Sequence, residues 1–148
     1  MNILIINGPN LNLLGIREVH FYKSLTYNDL LEYYKFLENK FNVTIEAYQT
    51  NHEGSIIDKL HEAHFKQFDA IIINPGAYTH YSYAIRDAIA AISIPTFEVH
   101  LTDITKRENW RRVSVISEVC VKTFMGNHFE SYEDATKYIV EERNQYAE

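Results

Sequence analysis

Apolar runs alternate along this chain with segments in which apolar residues recur every three or four positions. The runs predict strands, which cover Ile3–Ile6, Val43–Ala47, Ala70–Ile73, Thr96–Val99 and Val119–Phe124. The segments of helical period predict helices at about Tyr27–Asn39, Ser55–Phe65, Tyr81–Ala91 and Tyr132–Arg143, with a shorter turn near Lys106–Trp110. Strands that alternate with helices are typical of βαβ units, and therefore of a parallel sheet.

The predicted elements define an α/β fold. Right-handed crossovers between five strands give a flavodoxin-like three-layer sandwich, with a five-stranded parallel sheet in the order 2-1-3-4-5. The 148 residues suffice for one domain with a proper core, and no linker or repeat divides them, so residues 1–148 are interpreted as a single domain. Thr26 is the predicted N-cap of the first helix, and Ser131 that of the last.

One connection is too long for this pattern. Residues Gly8–Ser24 separate the first strand from the first helix, whereas such loops usually have about six residues or fewer. Long loops of this kind are often functional. Its polar residues include Asn10, Asn12, Arg17, His20 and Tyr22. We therefore predict an active-site lid at about residues 8–24.

Polar residues follow four of the predicted strands, where ligands bind in an open parallel sheet. The four strand ends carry Asn7–Asn12, Asn51–Gly54, Asn74–His80 and His100–Asp103. These ends are expected to converge on one pocket. Three histidines, His52, His80 and His100, are expected at its mouth.

Composition excludes several classes of partner. A formal charge of −6 without a basic stripe argues against nucleic acid, and no apolar run approaches the roughly 20 residues of a membrane span. No signal-peptide pattern is visible, so the cytoplasm is the expected compartment. The single Cys120 is predicted to be a buried, inert strand thiol. An anion remains a suitable ligand if the pocket collects a few of the cations Arg17, Arg86, Arg107, Arg111 and Arg112.

Known phosphate and metal motifs are missing from the sequence. It contains neither G-x-x-x-x-G-K-[ST] nor G-x-G-x-x-G, which argues against nucleoside triphosphates and dinucleotides. A phosphoacceptor domain would need acids where Asn7 and Asn74 stand. The segment His61–His64 resembles a zincin motif, but its histidines are three positions apart instead of four. No metal is therefore predicted, and a flavin-binding electron carrier is kept only as a weak alternative.

Two pairs of residues indicate acid–base chemistry. Glu98 and His100 are two positions apart on one strand, so their side chains share a face and the carboxylate can orient the imidazole. In the lid, a guanidinium from Arg17 beside Tyr22 would favour the phenolate, although Tyr22 would serve equally well to pack the lid. A phenolate base, an imidazole acid and nearby amides suit proton abstraction beside a carbonyl, followed by loss of a β-hydroxyl.

These segments together closely resemble type II 3-dehydroquinate dehydratase over nearly the whole chain. The resemblance rests on Asn7–Gly15 with Arg17, Glu18 and Tyr22, on Asn51–Gly54, on Asn74–His80 and on Glu98–His100. It implies a lyase of the shikimate pathway of aromatic amino acid biosynthesis, which converts 3-dehydroquinate to 3-dehydroshikimate and water through an enolate. It also implies that no cofactor is needed and that the chain assembles as a homo-oligomer, a dodecamer of trimers.

The resemblance also assigns roles to individual residues. Tyr22 would take a proton from C2, Arg17 would favour its phenolate, and a water near Asn12 would stabilise the enolate. His100, oriented by Glu98, would protonate the leaving C1 hydroxyl. The implied substrate-binding residues are Asn74, His80 and Arg111 for hydroxyls, Leu101 and Thr102 for the carboxylate through their amides, and Asp87 from a neighbouring subunit.

The chain departs from the family pattern after His100 and in the lid. Thr102 stands where the family commonly has serine, which keeps a hydroxyl, and Lys23 stands where glycine is usual. Arg107 is interpreted as a structural ion-pair residue. The alternative from another class is a flavodoxin-like binding module without catalysis, which has no need for Arg17, Tyr22, Glu98 and His100 together.

Overall fold

The computed structural model describes residues 1–16 and 25–146. Its sheet is parallel, with five strands in the order β2-β1-β3-β4-β5, which confirms the predicted order. The strands are β1 (Asn2–Asn7), β2 (Thr44–Gln49), β3 (Ala70–Asn74), β4 (Thr96–His100) and β5 (Thr123–Met125). The α-helices are α1 (Tyr27–Phe41), α2 (Glu53–Phe65), α3 (Tyr83–Ala91) and α4 (Glu130–Tyr146). No helix in this described part of the chain is long and apolar enough to cross a bilayer.

Alternating strand residues form two separate cores, one on each face of the sheet. On one face Ile3 and Ile5 lie against α1 and α4, whose Leu30 and Tyr132 are fully buried. On the other face a second set of buried residues from the same strands lies against α2 and α3. That set includes Leu4, Ile6, Ile56, Leu60, Ile85 and Ile89. The central strands are apolar on both faces because helices cover both sides of the sheet.

The start of α1 is fixed by the predicted cap. The Thr26 hydroxyl accepts a hydrogen bond from the Asp29 backbone N–H, and the Asp29 carboxylate accepts one from the Thr26 N–H. This reciprocal capping box satisfies two donors that the helix itself leaves unpaired. The hydrogen bonds at Thr26 also lower the pKa of the Asp29 carboxyl.

The prediction for the last strand was wrong at its start. Residues Ser117–Val119 form a 3₁₀ turn, and β5 begins only at Thr123. Cys120 therefore lies in a loop, where it is half-buried, and not in a strand. The apolar run that suggested a strand is a loop, and its Val119 and Cys120 pack against the core formed with α2 and α3. Burial raises the pKa of the Cys120 thiol, so the thiol stays protonated, as expected of an inert cysteine.

The predicted cap of the last helix was also wrong. The helix begins at Glu130, so Ser131 lies inside its first turn and is fully buried. The Ser131 hydroxyl accepts from the Asn127 backbone N–H and thereby closes the loop that enters the helix. Sequence pattern could not separate a cap from this loop-closing contact, since serine serves in both.

Candidate active site

A cavity opens at the carboxyl ends of three strands, β1, β3 and β4. It is lined by Pro9, Asn10, Leu11, Asn74, Gly76, Ala77, His80, His100, Leu101, Thr102, Ile104, Arg107 and Arg111. Six of the predicted site residues are among them: Asn74, His80, His100, Leu101, Thr102 and Arg111. Residues more than twenty positions apart in sequence therefore meet at one edge of the sheet.

The expected contribution of the fourth strand end is corrected by the structure. β2 is an edge strand, and no residue of β2 or of the segment 50–54 after it is in the cavity lining. Asn51 supports the loop after β1 from outside, because its Oδ1 accepts from the Asn10 N–H at 3.0 Å. His52 is an exposed residue at the N-terminus of α2 and is not part of the cavity lining. Among the described residues, three strand ends and not four line the pocket.

Two glycines allow the loops after β1 and β3 to touch. A Cβ on Gly8 would lie 2.5 Å from the Pro75 carbonyl oxygen, so only glycine fits at that position. Gly76 has a φ of +59° and also approaches Pro9 closely. The Gly8 N–H donates to the Asn74 carbonyl at 2.8 Å. The floor of the cavity is thus built from two backbones in direct contact.

A buried chain of hydrogen bonds holds Asn74 from below. Its Nδ2 donates to the Tyr132 hydroxyl at 3.1 Å, and its Oδ1 accepts from the Gly76 N–H at 3.3 Å. The Tyr132 hydroxyl donates in turn to Asn7 Oδ1 at 2.6 Å, and Asn7 Nδ2 donates to the Tyr34 hydroxyl at 3.0 Å. Burial holds the pKa of Tyr34 well above its usual value, so its phenol stays neutral. These bonds fix the ends of β1 and β3 relative to each other.

The predicted contact between the acid–base pair of β4 is present. His100 Nε2 lies 2.5 Å from Glu98 Oε2, and both side chains are buried. Because the carboxylate occupies Nε2, Nδ1 is the ring nitrogen left for a ligand in the cavity. A buried carboxylate that fixes one nitrogen sets the ring orientation of the other. This arrangement suits transfer of a proton from Nδ1.

His80 is held differently from His100. Its Nδ1 lies 2.8 Å from the Val113 carbonyl oxygen, which can only accept, so Nδ1 carries the proton. The Trp110 ring meets the imidazole edge to face, with centroids 5.5 Å apart. Burial lowers the pKa of His80, and the charges of His100 and Arg111 lower it further. In neutral His80 with the proton on Nδ1, Nε2 is a hydrogen-bond acceptor and suits a ligand hydroxyl.

The charge state of His80 gives a pH prediction. In the folded chain the pKa of His80 lies below 6.5, the ordinary value for histidine. As pH falls through 6.5, the unfolded chain therefore binds more protons than the folded chain. His80 therefore contributes stability above 6.5 that is lost progressively at lower pH. An NMR titration of the His80 ring should show a midpoint below 6.5. A midpoint at or above that value would contradict the lowered pKa and the neutral state assigned to His80.

Two arginines give the cavity a local positive charge in a net acidic protein. Arg111 lines the cavity, stacks on Trp110 and lies 3.0 Å from Glu108 through its Nε. Arg107 also lines the cavity and is buried, with its Nη1 donating to Thr102 Oγ1 at 3.2 Å. Arg107 was predicted as a structural ion-pair residue and was also a candidate pocket cation. The structure has both features, since its Nε lies 3.9 Å from Glu108 Oε2 and the residue lines the cavity. Its spacing of four from Arg111 in one loop was the available signal.

Arg112 does not share that position. From the residues alone, Arg111 and Arg112 had equal claims to the pocket, and only the resemblance favoured Arg111. In the structure Arg112 Nε donates to the Arg107 carbonyl at 2.7 Å, and Arg112 is absent from the lining. Arg112 thus supports the loop that carries the two cavity cations. An anionic ligand would meet Arg107 and Arg111 instead.

Two further predicted residues, Asn12 and Asp87, are not among the residues that line the cavity. Asn12 is exposed on a 3₁₀ turn, with its Oδ1 at 3.4 Å from Gln49 Nε2, and is outside the lining. Asp87 is exposed on α3 and is also outside it. Arg17, Tyr22 and the rest of the predicted lid from residue 17 to residue 24 lie outside the described residues. Within residues 1–16 and 25–146, no three His, Cys, Asp or Glu side chains gather as metal ligands would.

Comparison with known proteins agrees with this geometry. The model of the family described as dehydroquinase class II matches residues 1–140. The 3-dehydroquinate dehydratase of Caldicellulosiruptor bescii is 54% identical over 130 residues, which are 88% of this chain and 90% of the relative. That of Bacillus mycoides is 50% identical over 139 residues, 94% of each chain. The type II dehydroquinase of Butyrivibrio crossotus superposes with a TM-score of 0.92 at 48% identity, over 94% of this chain and 97% of that one.

The parallel sheet and its carboxyl-edge pocket with a carboxylate–histidine pair define an α/β enzyme of the acid–base type. Within that class, the chain belongs to the dehydroquinase class II family.

Proposed function

We propose that this chain is a hydro-lyase that converts 3-dehydroquinate to 3-dehydroshikimate and water, in the shikimate pathway of aromatic amino acid biosynthesis. The observation that carries the proposal is the buried Glu98–His100 pair, which faces a cavity that also holds Arg107 and Arg111. The substrate is a carboxylate with ring hydroxyls and a ketone. The cavity offers cations, amides and an oriented imidazole for those groups.

The proposed reaction breaks two bonds and forms one double bond. Tyr22, as a phenolate favoured by Arg17, takes a proton from C2 beside the ketone. The electrons pass to the ketone oxygen as an enolate, which a water near Asn12 stabilises. When the enolate collapses, the C1–O bond breaks, His100 protonates the leaving hydroxyl and water departs. Such acid and base groups each contribute about 10²- to 10⁴-fold to a rate.

The proposed binding groups match the observed lining. Asn74 is fixed by its buried hydrogen bonds, and neutral His80 has an accepting Nε2, so both suit ring hydroxyls. The Leu101 side chain is buried, so Leu101 can bind the substrate carboxylate only through its backbone amide. The backbone amide of Thr102 can bind the carboxylate in the same way. Arg111 and Arg107 supply positive charge. The chemistry uses groups of the chain itself, with no metal or organic cofactor.

We further propose that the active assembly is a homo-oligomer, a dodecamer of trimers in which Asp87 reaches a neighbouring subunit's site. Asp87 is exposed on α3, one turn after Tyr83, and the two share a helix face. Tyr83 is 65% exposed and Tyr81 59%, which is unusual for large aromatics. Exposed aromatic residues beside an acid suit a contact between subunits.

The function is tested by supplying purified protein with 3-dehydroquinate and following the near-ultraviolet absorbance of the conjugated enone. We expect enone formation, at the same rate with and without a metal chelator. Absence of enone from folded protein would refute the lyase. Loss of the signal on adding chelator would refute the cofactor-free mechanism while leaving the reaction itself established.

A further inference from the structure

Glu98 is a fully buried carboxylate whose neighbours are almost all neutral. Its exposed fraction is 0%, and among the described residues the one ion-pair partner found for it is His100. A carboxylate in such surroundings loses hydration and tends to take up a proton unless other donors replace the water. The surroundings of Glu98 must therefore supply those donors if it is to stay charged beside His100.

Two hydroxyls from distant segments fill that role. Ser114 Oγ lies between the two carboxylate oxygens, 3.0 Å from Oε1 and 2.8 Å from Oε2. Thr123 Oγ1, at the start of β5, lies 3.3 Å from Oε1. With His100 on Oε2, both oxygens of Glu98 accept hydrogen bonds. Donors to a carboxylate stabilise its charged form.

The backbone around Ser114 is fixed at several points. The Val115 N–H donates to the Thr79 carbonyl at 2.9 Å, and Arg86 Nη1 donates to the Val115 carbonyl at 2.8 Å. On the other side, the Val113 carbonyl holds His80 Nδ1. One three-residue segment, 113–115, therefore contacts His80 directly and His100 through Glu98. Its rigidity sets the position of both cavity histidines.

We propose that Ser114 is a positioning residue for the reaction, with Thr123 in a lesser role. Their hydroxyls keep Glu98 as a carboxylate aimed at His100, so that the proton of the protonated pair stays on the imidazole. If His100 is an imidazolium beside a Glu98 carboxylate, its Nδ1–H is a strong acid. If Glu98 carries the proton instead, His100 is a neutral imidazole and its Nδ1–H is a weaker acid. This inference rests on the proposed function, in which Nδ1 gives its proton to the leaving C1 hydroxyl.

Other titratable groups near Glu98 do not replace this role. His80 is neutral for the reasons given above, and its pKa responds to the charges of both His100 and Glu98. Cys120 stays a neutral thiol, because burial and the Glu98 charge both raise its pKa. Neither group donates to Glu98 in the structure. The hydroxyls of Ser114 and Thr123 therefore determine whether Glu98 or His100 carries the shared proton.

The test compares Ser114→Ala with Ser114→Thr, which keeps a hydroxyl, and with Thr123→Val. We expect Ser114→Ala to lower kcat for 3-dehydroquinate by about 10- to 100-fold, the range of a hydrogen bond to a charged group, with KM changed less than about twofold. Ser114→Thr should recover most of kcat. Thr123→Val should lower kcat in the same direction but less, since its contact is longer and touches one oxygen.

A second readout uses the free protein without substrate. Ring ¹⁵N shifts of His100 across about pH 5 to 8 distinguish imidazolium from imidazole. We expect the acid form to be imidazolium in the natural chain, with a smaller imidazolium fraction in Ser114→Ala. Ser117→Ala is the control for the loop itself, because Ser117 is exposed and its hydroxyl donates to the Ser114 carbonyl at 3.4 Å, with no hydrogen bond to Glu98 among the described residues. It should match the natural chain in kcat and in the shifts.

Two results would overturn the proposal. One is a Ser114→Ala protein with unchanged kcat and unchanged His100 shifts. The other is a loss of kcat in Ser114→Ala that also occurs in Ser117→Ala and is not recovered in Ser114→Thr. Such a loss would come from a changed loop conformation and not from the missing hydroxyl. Failure of the natural chain to form the enone would refute the proposed function alone, because the ¹⁵N comparison needs no substrate.

Discussion

Replacing His100 by Ala should lower kcat for 3-dehydroquinate by about 10²- to 10⁴-fold, the usual contribution of a positioned acid. KM should change little, because the cations and Asn74 that hold the substrate remain in place. The imidazole lies at the end of β4 with Nε2 on Glu98, so alanine removes the oriented Nδ1 from which the proton would be transferred. Steady-state kinetics by enone absorbance measures both constants.

His52→Ala is the matched control for that variant. His52 also follows a strand of the sheet, but it is exposed and lies outside the cavity lining. Its removal should leave kcat and KM unchanged. If His100→Ala keeps full activity, or if the two variants lose activity equally, His100 is not the acid.

Replacing Gly8 by Ala should damage both stability and activity. The new Cβ would lie 2.5 Å from the Pro75 carbonyl oxygen and 2.6 Å from its carbonyl carbon, and backbone atoms cannot move aside as a side-chain tip can. We expect a loss of about 1–3 kcal/mol in the free energy of unfolding, as for other overpacked sites. Activity should fall further than stability implies, since Pro75 adjoins Asn74 and Gly76 in the cavity lining. Urea denaturation and the enone assay measure the two effects.

Gly54→Ala makes the same chemical change as Gly8→Ala but should have the opposite effect on stability. Gly54 lies in the first turn of α2, where a Cβ would have no atom within 4 Å. Alanine is favoured over glycine in a helix by about 0.5–1 kcal/mol, so the variant should be slightly more stable and fully active. Equal destabilisation by both substitutions would show that the contact at Pro75 is not the cause.

The sheet was predictable because its central strands are short apolar runs with helical segments between them. That pattern fixes parallel strands, and the strand order follows from crossover rules. The errors arose where an apolar run serves another purpose. The residues before Thr123 form a 3₁₀ turn and a loop that pack against the core. Composition alone cannot distinguish such a segment from a strand.

The site was predictable where its contacts are local. Glu98 and His100 lie two residues apart, and the alternation of a strand brings them together. Ser114 is sixteen residues away from Glu98, and Tyr132 is 58 away from Asn74, so no local spacing could indicate either contact. His52 was misplaced for a related reason, since the sequence does not show which strand end a loop will cover.

Proton exchange at C2 separates the step that needs the base from the step that needs His100. His100→Ala would be incubated with 3-dehydroquinate in D₂O, and the C2 proton and the product would be followed by NMR. We expect deuterium to enter C2 through the enolate while almost no 3-dehydroshikimate forms, because the base remains and the acid is gone. Dehydration at the rate of the natural chain, or loss of exchange together with dehydration, would contradict this expectation.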